Sequence, residues 1–183
     1  MKSNFNYKYI FAFSLLCQLF FSPLYADYPD TNVGVVDLNY ILSESDAAID
    51  AAKQIENIAK QIEEELKNTD QSLIDEQNEL IESQPIMAPA AFDEKRKEYE
   101  SKVQNYNVTR QEKLMSIDRI VSESRNEVLN ALKPILEEIS NDNGITVLLE
   151  KNSVLLNAEN MDITEEALKA LNKKLPSFEV SAD

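Results

Sequence analysis

The chain has 183 residues, with 33 acidic against 18 basic side chains and a formal net charge of −15. That balance argues against nucleic acid as a partner and against attraction to anionic membrane surfaces. There is no histidine and one cysteine, Cys17, so beyond that residue the chain can carry no Cys or His nucleophile, histidine base, Cys/His metal site or disulfide.

Lys2 and Lys8 precede an apolar run from Ile10 to Leu24, interrupted by Ser14, Gln18, Ser22 and Pro23, and small Ala26 comes after it. This pattern predicts a cleavable secretory signal over residues 1–26 and an exported protein. The run is shorter than the roughly 20 residues of a bilayer-spanning helix. Bulky Leu16 before Cys17, and the apolar residues after it, place the cysteine inside the signal rather than at a lipid anchor. Cleavage would leave 16 basic and 33 acidic residues, a net −17.

Val33 to Leu38 is short and β-branched and reads as a buried strand. Asn39 to Leu42 is expected as a helical turn or loop, with Ser43 as the cap of a long helix. From Glu44 to Gln84 there is neither glycine nor proline. Ala48, Ala52, Ile55, Ala59, Ile62, Leu66, Leu73 and Leu80 recur in steps of four and three, the seam of a coiled coil, weakened by Thr69 and Glu76 on the same stripe. At ~1.5 Å per residue the helix would reach roughly 60 Å and must protrude from a domain of this size.

Pro85-Ile86-Met87-Ala88-Pro89 breaks that helix and is short enough to reverse the chain. A second helix is expected from about Ala90 to Asn143. Its stripe is Val103, Tyr106, Arg110, Leu114, Ile117, Val121, Ser124, Val128, Leu132, Ile135 and Ile139, a straight α-helical period, with Phe92 and Tyr99 extending it toward the tip. Pro134 is expected to kink it where the arm enters the body. Asn143-Gly144 ends it, glycine taking the left-handed cap.

Ile145 to Glu150 and Ser153 to Leu156 read as two strands joined by a turn at Lys151-Asn152. Asp162 to Leu175 reads as a short amphipathic helix, Asp162 and Glu165 having capping-box spacing and Pro176 stopping it. The predicted fold is therefore mainly α with a small β body. Residues 27–43 and 134–183 form the body, and residues 44–133 form a helical hairpin arm with its tip at 85–91. Three short strands, one short helix and two helix roots hold little apolar material, so oligomerisation is the economical way to complete a core.

The ends of this pattern resemble the OmpH/Skp family of periplasmic chaperones. The resemblance rests on Val33-Gly34-Val35-Val36-Asp37-Leu38 with Leu42-Ser43-Glu44-Ser45, on Pro134-Ile135-Leu136 and on Gly144-Ile145-Thr146-Val147-Leu148-Leu149-Glu150-Lys151. Val154-Leu155-Leu156-Asn157 and Asp162 to Asn172 extend it, so that it spans essentially the whole mature chain. It implies a homotrimer in which three strands per chain form an oligomeric β-barrel body bearing three helical hairpins. The cavity between them would hold unfolded outer-membrane β-barrel proteins in the periplasm, without ATP or another cofactor. Val33, Val35, Val36, Ile145, Val147, Leu149, Val154 and Leu156 would build the oligomerisation body.

Family members with basic arms meet lipopolysaccharide and clients through positive charge. Here residues 44–84 carry 12 acidic and 3 basic residues, and residues 90–143 carry 11 and 9. Lipopolysaccharide or membrane contact is therefore not carried over, and apolar arm surface becomes the expected means of holding clients. Candidate client contacts are Ile86, Met87 and Phe92 at the tip, and Tyr99 and Tyr106 along the arm, each of which could instead pack within the hairpin. Lys95-Arg96-Lys97 reads as a solvated helix face, its alternative being a foothold for anionic groups. Asn141-Asp142-Asn143-Gly144 with Glu150 mimics part of a calcium loop, but position one falls on Ile139, which offers no ligand. Solvated carboxylates on rod-like arms offer no dry pocket for catalysis, so no enzyme activity is expected. The competing reading is a structural coiled-coil spacer or adaptor of the cell envelope that binds a folded partner.

Overall fold

Valines at positions 33, 35 and 36 favour a pleated backbone, and Val33–Val36 forms strand β1 in the computed structural model, which describes residues 30–181. The expected signal segment lies outside the described residues, and every described element belongs to the unit Asn32–Asp183. Strand β1 pairs in parallel with strand β2, Val147–Glu150, Val33 lying opposite Val147 and Val36 opposite Glu150. Gly34 makes this approach practicable, because a Cβ there would stand 2.7 Å from Ile145 Cδ1 and 3.2 Å from Leu148 Cδ1.

The strand stops earlier than Leu38 because Asp37 turns the chain into helix α1, Leu38–Glu44, by accepting the Tyr40 N–H at 2.9 Å. Ser43 is not the next cap. It sits inside α1 with its hydroxyl donating to the Tyr40 carbonyl. The buried Ser45 caps instead, accepting the Ala48 N–H at 3.3 Å to start helix α2, Asp46–Ser83. A short tip comes next, in which the Ser83 carbonyl accepts the N–H groups of Ile86 and Met87. Pro89 then opens helix α3, Pro89–Asp142, at the position where its missing donor costs nothing.

Helix α3 runs unbroken through Pro134. It ends as expected at Gly144, with φ of 64°, and Ile145 N–H reaches back to the Ser140 carbonyl at 2.8 Å. The expected strand over Ser153–Leu156 is not formed. Lys151–Ser153 is a 3₁₀ turn, and no ladder partner lies beyond it among the described residues, leaving Leu155 and Leu156 almost wholly exposed. After a second 3₁₀ turn at Glu159–Met161, helix α4 occupies Thr164–Lys174. The capping box is also absent. Asp162 lies one residue before the cap position and accepts the Thr164 N–H and hydroxyl at 3.0 and 2.5 Å, while its other oxygen takes Lys151 at 2.7 Å.

The core gathers where the two long helices start and finish. Val36, Ile41 and Ala47 meet Val128, Leu132, Ile135 and Ile139 of α3 and Ile163, Ala167 and Leu171 of the closing segment. The root of the hairpin and the small sheet therefore share one apolar centre.

Candidate functional site

Beyond the core the hairpin of α2 and α3 has only its own seam, and that seam departs from the spacing expected at both ends. At the root Ala47 and Ala51 are buried, while Ala52 is exposed, because α2 faces the core as well as α3 there. In α3 the structure buries Tyr106, Ile120, Ser124 and Val128, and turns Arg110, Leu114 and Val121 outward. A 3.6-residue period carried straight along α3 places those three inside. Two helices that stay in contact follow about 3.5 residues per turn instead, and the drift accumulates over several turns.

The middle of the seam is polar and opens into a groove of about 420 Å³ lined by Leu66, Thr69, Leu73, Asn105 and Tyr106 among others. Cross-helix ion pairs flank it, Lys102 with Glu76 at 2.5 Å and Lys113 with Glu65. Thr69 spends its hydroxyl on the Glu65 carbonyl, one turn back. Tyr106 lies against α2, its hydroxyl donating to the Leu66 carbonyl at 3.3 Å. Burial, followed by the neighbouring Asp70 carboxylate, raises the phenol's pKa above its ordinary value. Tyr106 is thus a seam residue within the hairpin.

The other candidate contacts distribute along the distal arm. Ile86 is exposed at the tip, while Met87, Phe92 and Tyr99 are half-buried. Lys95-Arg96-Lys97 is exposed, and Arg96 is engaged on its own helix by Asp93 at 3.6 Å and Glu100 at 2.7 Å. Sequence reasoning missed a longer apolar feature. Ile74 and Ile81 on α2, and Val108 with Met115 and Leu114 with Val121 on α3, are all exposed. Each pair is seven residues apart and so shares one helix face. A second seven-residue repeat, off the seam, is the signal that marks them.

In the body, Val35 and Val36 are buried, whereas Val33, Ile145 and Val154 are half-buried. Val147 and Leu149 are exposed on β2, and Leu156 is exposed beyond it. The residues expected to join chains thus run from a buried pair, Val35 and Val36, to an outer set, Val147, Leu149 and Leu156, whose side chains remain exposed in the single chain. Chemically the unit offers uncovered apolar surface and open grooves. Among the described residues no group of His, Cys, Asp or Glu side chains is placed to hold a metal ion, and no helix is long and apolar enough to cross a membrane.

A model of the family described as outer membrane protein (OmpH-like) matches residues 32–171. A solved structure from Caulobacter crescentus CB15, described as a candidate OmpH-like outer membrane chaperone, superposes with a TM-score of 0.77 at 17% identity, covering 84% of this chain and 91% of its own. At that identity the likeness concerns the fold. No curated protein matches the chain.

Proposed function

The chain belongs to the family of OmpH-like outer membrane proteins, and from that premise we propose that it is a periplasmic holdase for unfolded outer-membrane β-barrel proteins. Residues 1–26 direct export and are removed. The mature chain assembles as a homotrimer whose sheets join into one barrel-like body, and client chains are held between the arms. The observation that carries this reading is the paired exposed apolar rows on the hairpin, Ile74 with Ile81, Val108 with Met115 and Leu114 with Val121. A free-standing helical pair gains nothing by exposing them, and a chain with uncovered apolar strands loses exposure by resting on them.

Trimerisation is supported by the outer set of body residues. Val147, Leu149, Leu155 and Leu156 lie along and just beyond a two-stranded sheet, and a further strand from another copy would bury them and pair the open edge. Holding is passive in this scheme: clients enter because apolar surface is covered, and they leave for a destination that covers more of it. Like charge on residues 44–84 keeps neighbouring arms apart. No role for lipopolysaccharide is assigned, given that charge.

The test is suppression of aggregation when an unfolded β-barrel protein is diluted from urea into buffer containing equimolar trimer and no nucleotide. Protection is expected to change little between low and high salt, because exposed charge contacts are screened and apolar ones are not. Absence of protection at every ratio sinks the proposal. Recovery of a single folded partner, in place of unfolded clients, would point to the adaptor reading instead.

A further inference from the structure

After α4 the chain does not trail into solvent but returns to the root of the hairpin. Burial alternates along it: Ser177 exposed, Phe178 half-buried, Glu179 exposed, Val180 half-buried, Ser181 exposed. A period of two is the mark of an extended strand. Phe178 packs against the core cluster, and residues 178–181 face Ile120, Glu123, Ser124 and Glu127 of α3 across a remaining cleft of about 350 Å³. The tail itself thus lies in a groove at the arm root between Gln54 of α2 and these residues of α3.

The polar half of this docking comes from one side chain of α2. The Gln54 carboxamide donates to the Phe178 carbonyl at 2.8 Å and accepts the Val180 N–H at 3.0 Å. Its second amide proton goes to Asp50 at 2.7 Å, which fixes the plane of the group. A C=O at one residue and an N–H two residues later, both taken by one amide, is what a residue of a neighbouring parallel strand takes from its partner. Gln54 therefore stands in for a strand, and it holds the tail through main-chain groups on either side of Glu179. The side chains that flank Glu179, Phe178 and Val180, are apolar and half-buried.

We infer that the arm-root groove is a docking site for extended segments of apolar–polar–apolar pattern, and that the chain's own tail occupies it as an internal strand mimic until a client segment displaces it. Strands of membrane β-barrels have that alternating pattern, and backbone reading tolerates their differing sequences. The inference deepens the holdase reading and rests on it for the identity of the client. A tethered occupant keeps the apolar groove covered at rest, and its connection to α4 makes exchange a matter of local opening.

The experiment uses the full mature chain and a fluorescein-labelled peptide with the sequence of residues 174–183. Val180→Pro removes the tail's own N–H donor and leaves the groove intact. This variant is expected to bind the peptide at least tenfold more tightly than the unaltered chain does, and adding Gln54→Ala is expected to abolish that gain. Unfolded β-barrel protein is expected to displace the peptide. Equal peptide binding with and without Val180→Pro, or binding indifferent to Gln54→Ala, overturns the groove as a strand-reading site. Peptide binding that behaves as expected but is not displaced overturns the client assignment alone. Should Val180→Pro lose helicity by circular dichroism, amide exchange in the unaltered chain decides: client must speed exchange at Val180, and no change overturns the inference. A chain that fails to suppress aggregation in any variant defeats the holdase reading, and the peptide result is independent of it.

Discussion

A methyl group added at Gly34 would sit 2.7 Å from Ile145 Cδ1, whereas one added at Gly144 would meet only Asn32 Nδ2, at 3.9 Å. The two glycines are therefore held by different physics. Gly34→Val is expected to cost about 1–3 kcal/mol through overpacking against Ile145 and Leu148, and Gly144→Ala about 1–2 kcal/mol because a side chain must adopt a φ of 64°. Urea denaturation of both variants checks this, and adding Ile145→Ala is expected to relieve the first and leave the second unchanged. Asp162 is the third decisive position. Partial burial opposes its ionisation, but Lys151 and the Thr164 hydroxyl and N–H outweigh that and hold its carboxyl below the ordinary value. Because the folded-state pKa is depressed, the stabilisation is complete above the unfolded value near 4 and fades as pH falls through the folded one. Asp162→Asn is expected to cost about 1–3 kcal/mol at neutral pH and to flatten the loss of stability below about pH 4, as read from denaturation midpoints at several pH values.

At the level of elements, the register of α3 separates residues that hold the hairpin from residues left exposed on it. Ile120 is buried and Leu114 is half exposed. Ile120→Ala is expected to lower stability by about 2–4 kcal/mol, and Leu114→Ala to stay within about 0.5 kcal/mol. Combined Leu114→Ser and Met115→Ser is expected to weaken protection of an unfolded client while leaving the melting transition in place. Both long helices and the hairpin break are legible in the sequence, because a run without glycine or proline between Glu44 and Gln84 has few alternatives. Which residues of α3 face inward is not, since that depends on how far a contacting helix departs from its own straight period. The cap moves from Ser43 to Ser45 for a related reason: both residues suit the role, and only packing against α4 and the core chooses between them. Gln54 leaves no pattern at all, because a glutamine on a polar helix face is ordinary until a strand lies beside it.

For the whole molecule, the third strand is the instructive miss. Ser153 to Leu156 has the composition of a strand, but a strand needs a neighbour, and the described residues provide none there. Under the proposed assembly a second copy would supply that neighbour. Leu155 and Leu156 are then the most exposed large apolar residues described. Replacing both with Ser is expected to shift the mass in solution from trimer toward monomer, measured by light scattering across a dilution series, with arm helicity preserved. An unchanged mass would count against assembly through this edge.

Strand β1 pairs with β2 across a separation in which Val33 meets Val147. Brought together directly, two such distant segments would close a very long loop, and contacts of that kind slow folding. The arm removes most of that cost. Once its tip has turned, zipping the two helices toward the root delivers both strand segments to the same place, so the effective loop shortens to a few residues. During synthesis, however, β1 emerges first and waits through the whole arm for its mate. The sheet can form only after nearly all of the chain exists, which makes its closure a built-in report that synthesis of the arm is complete.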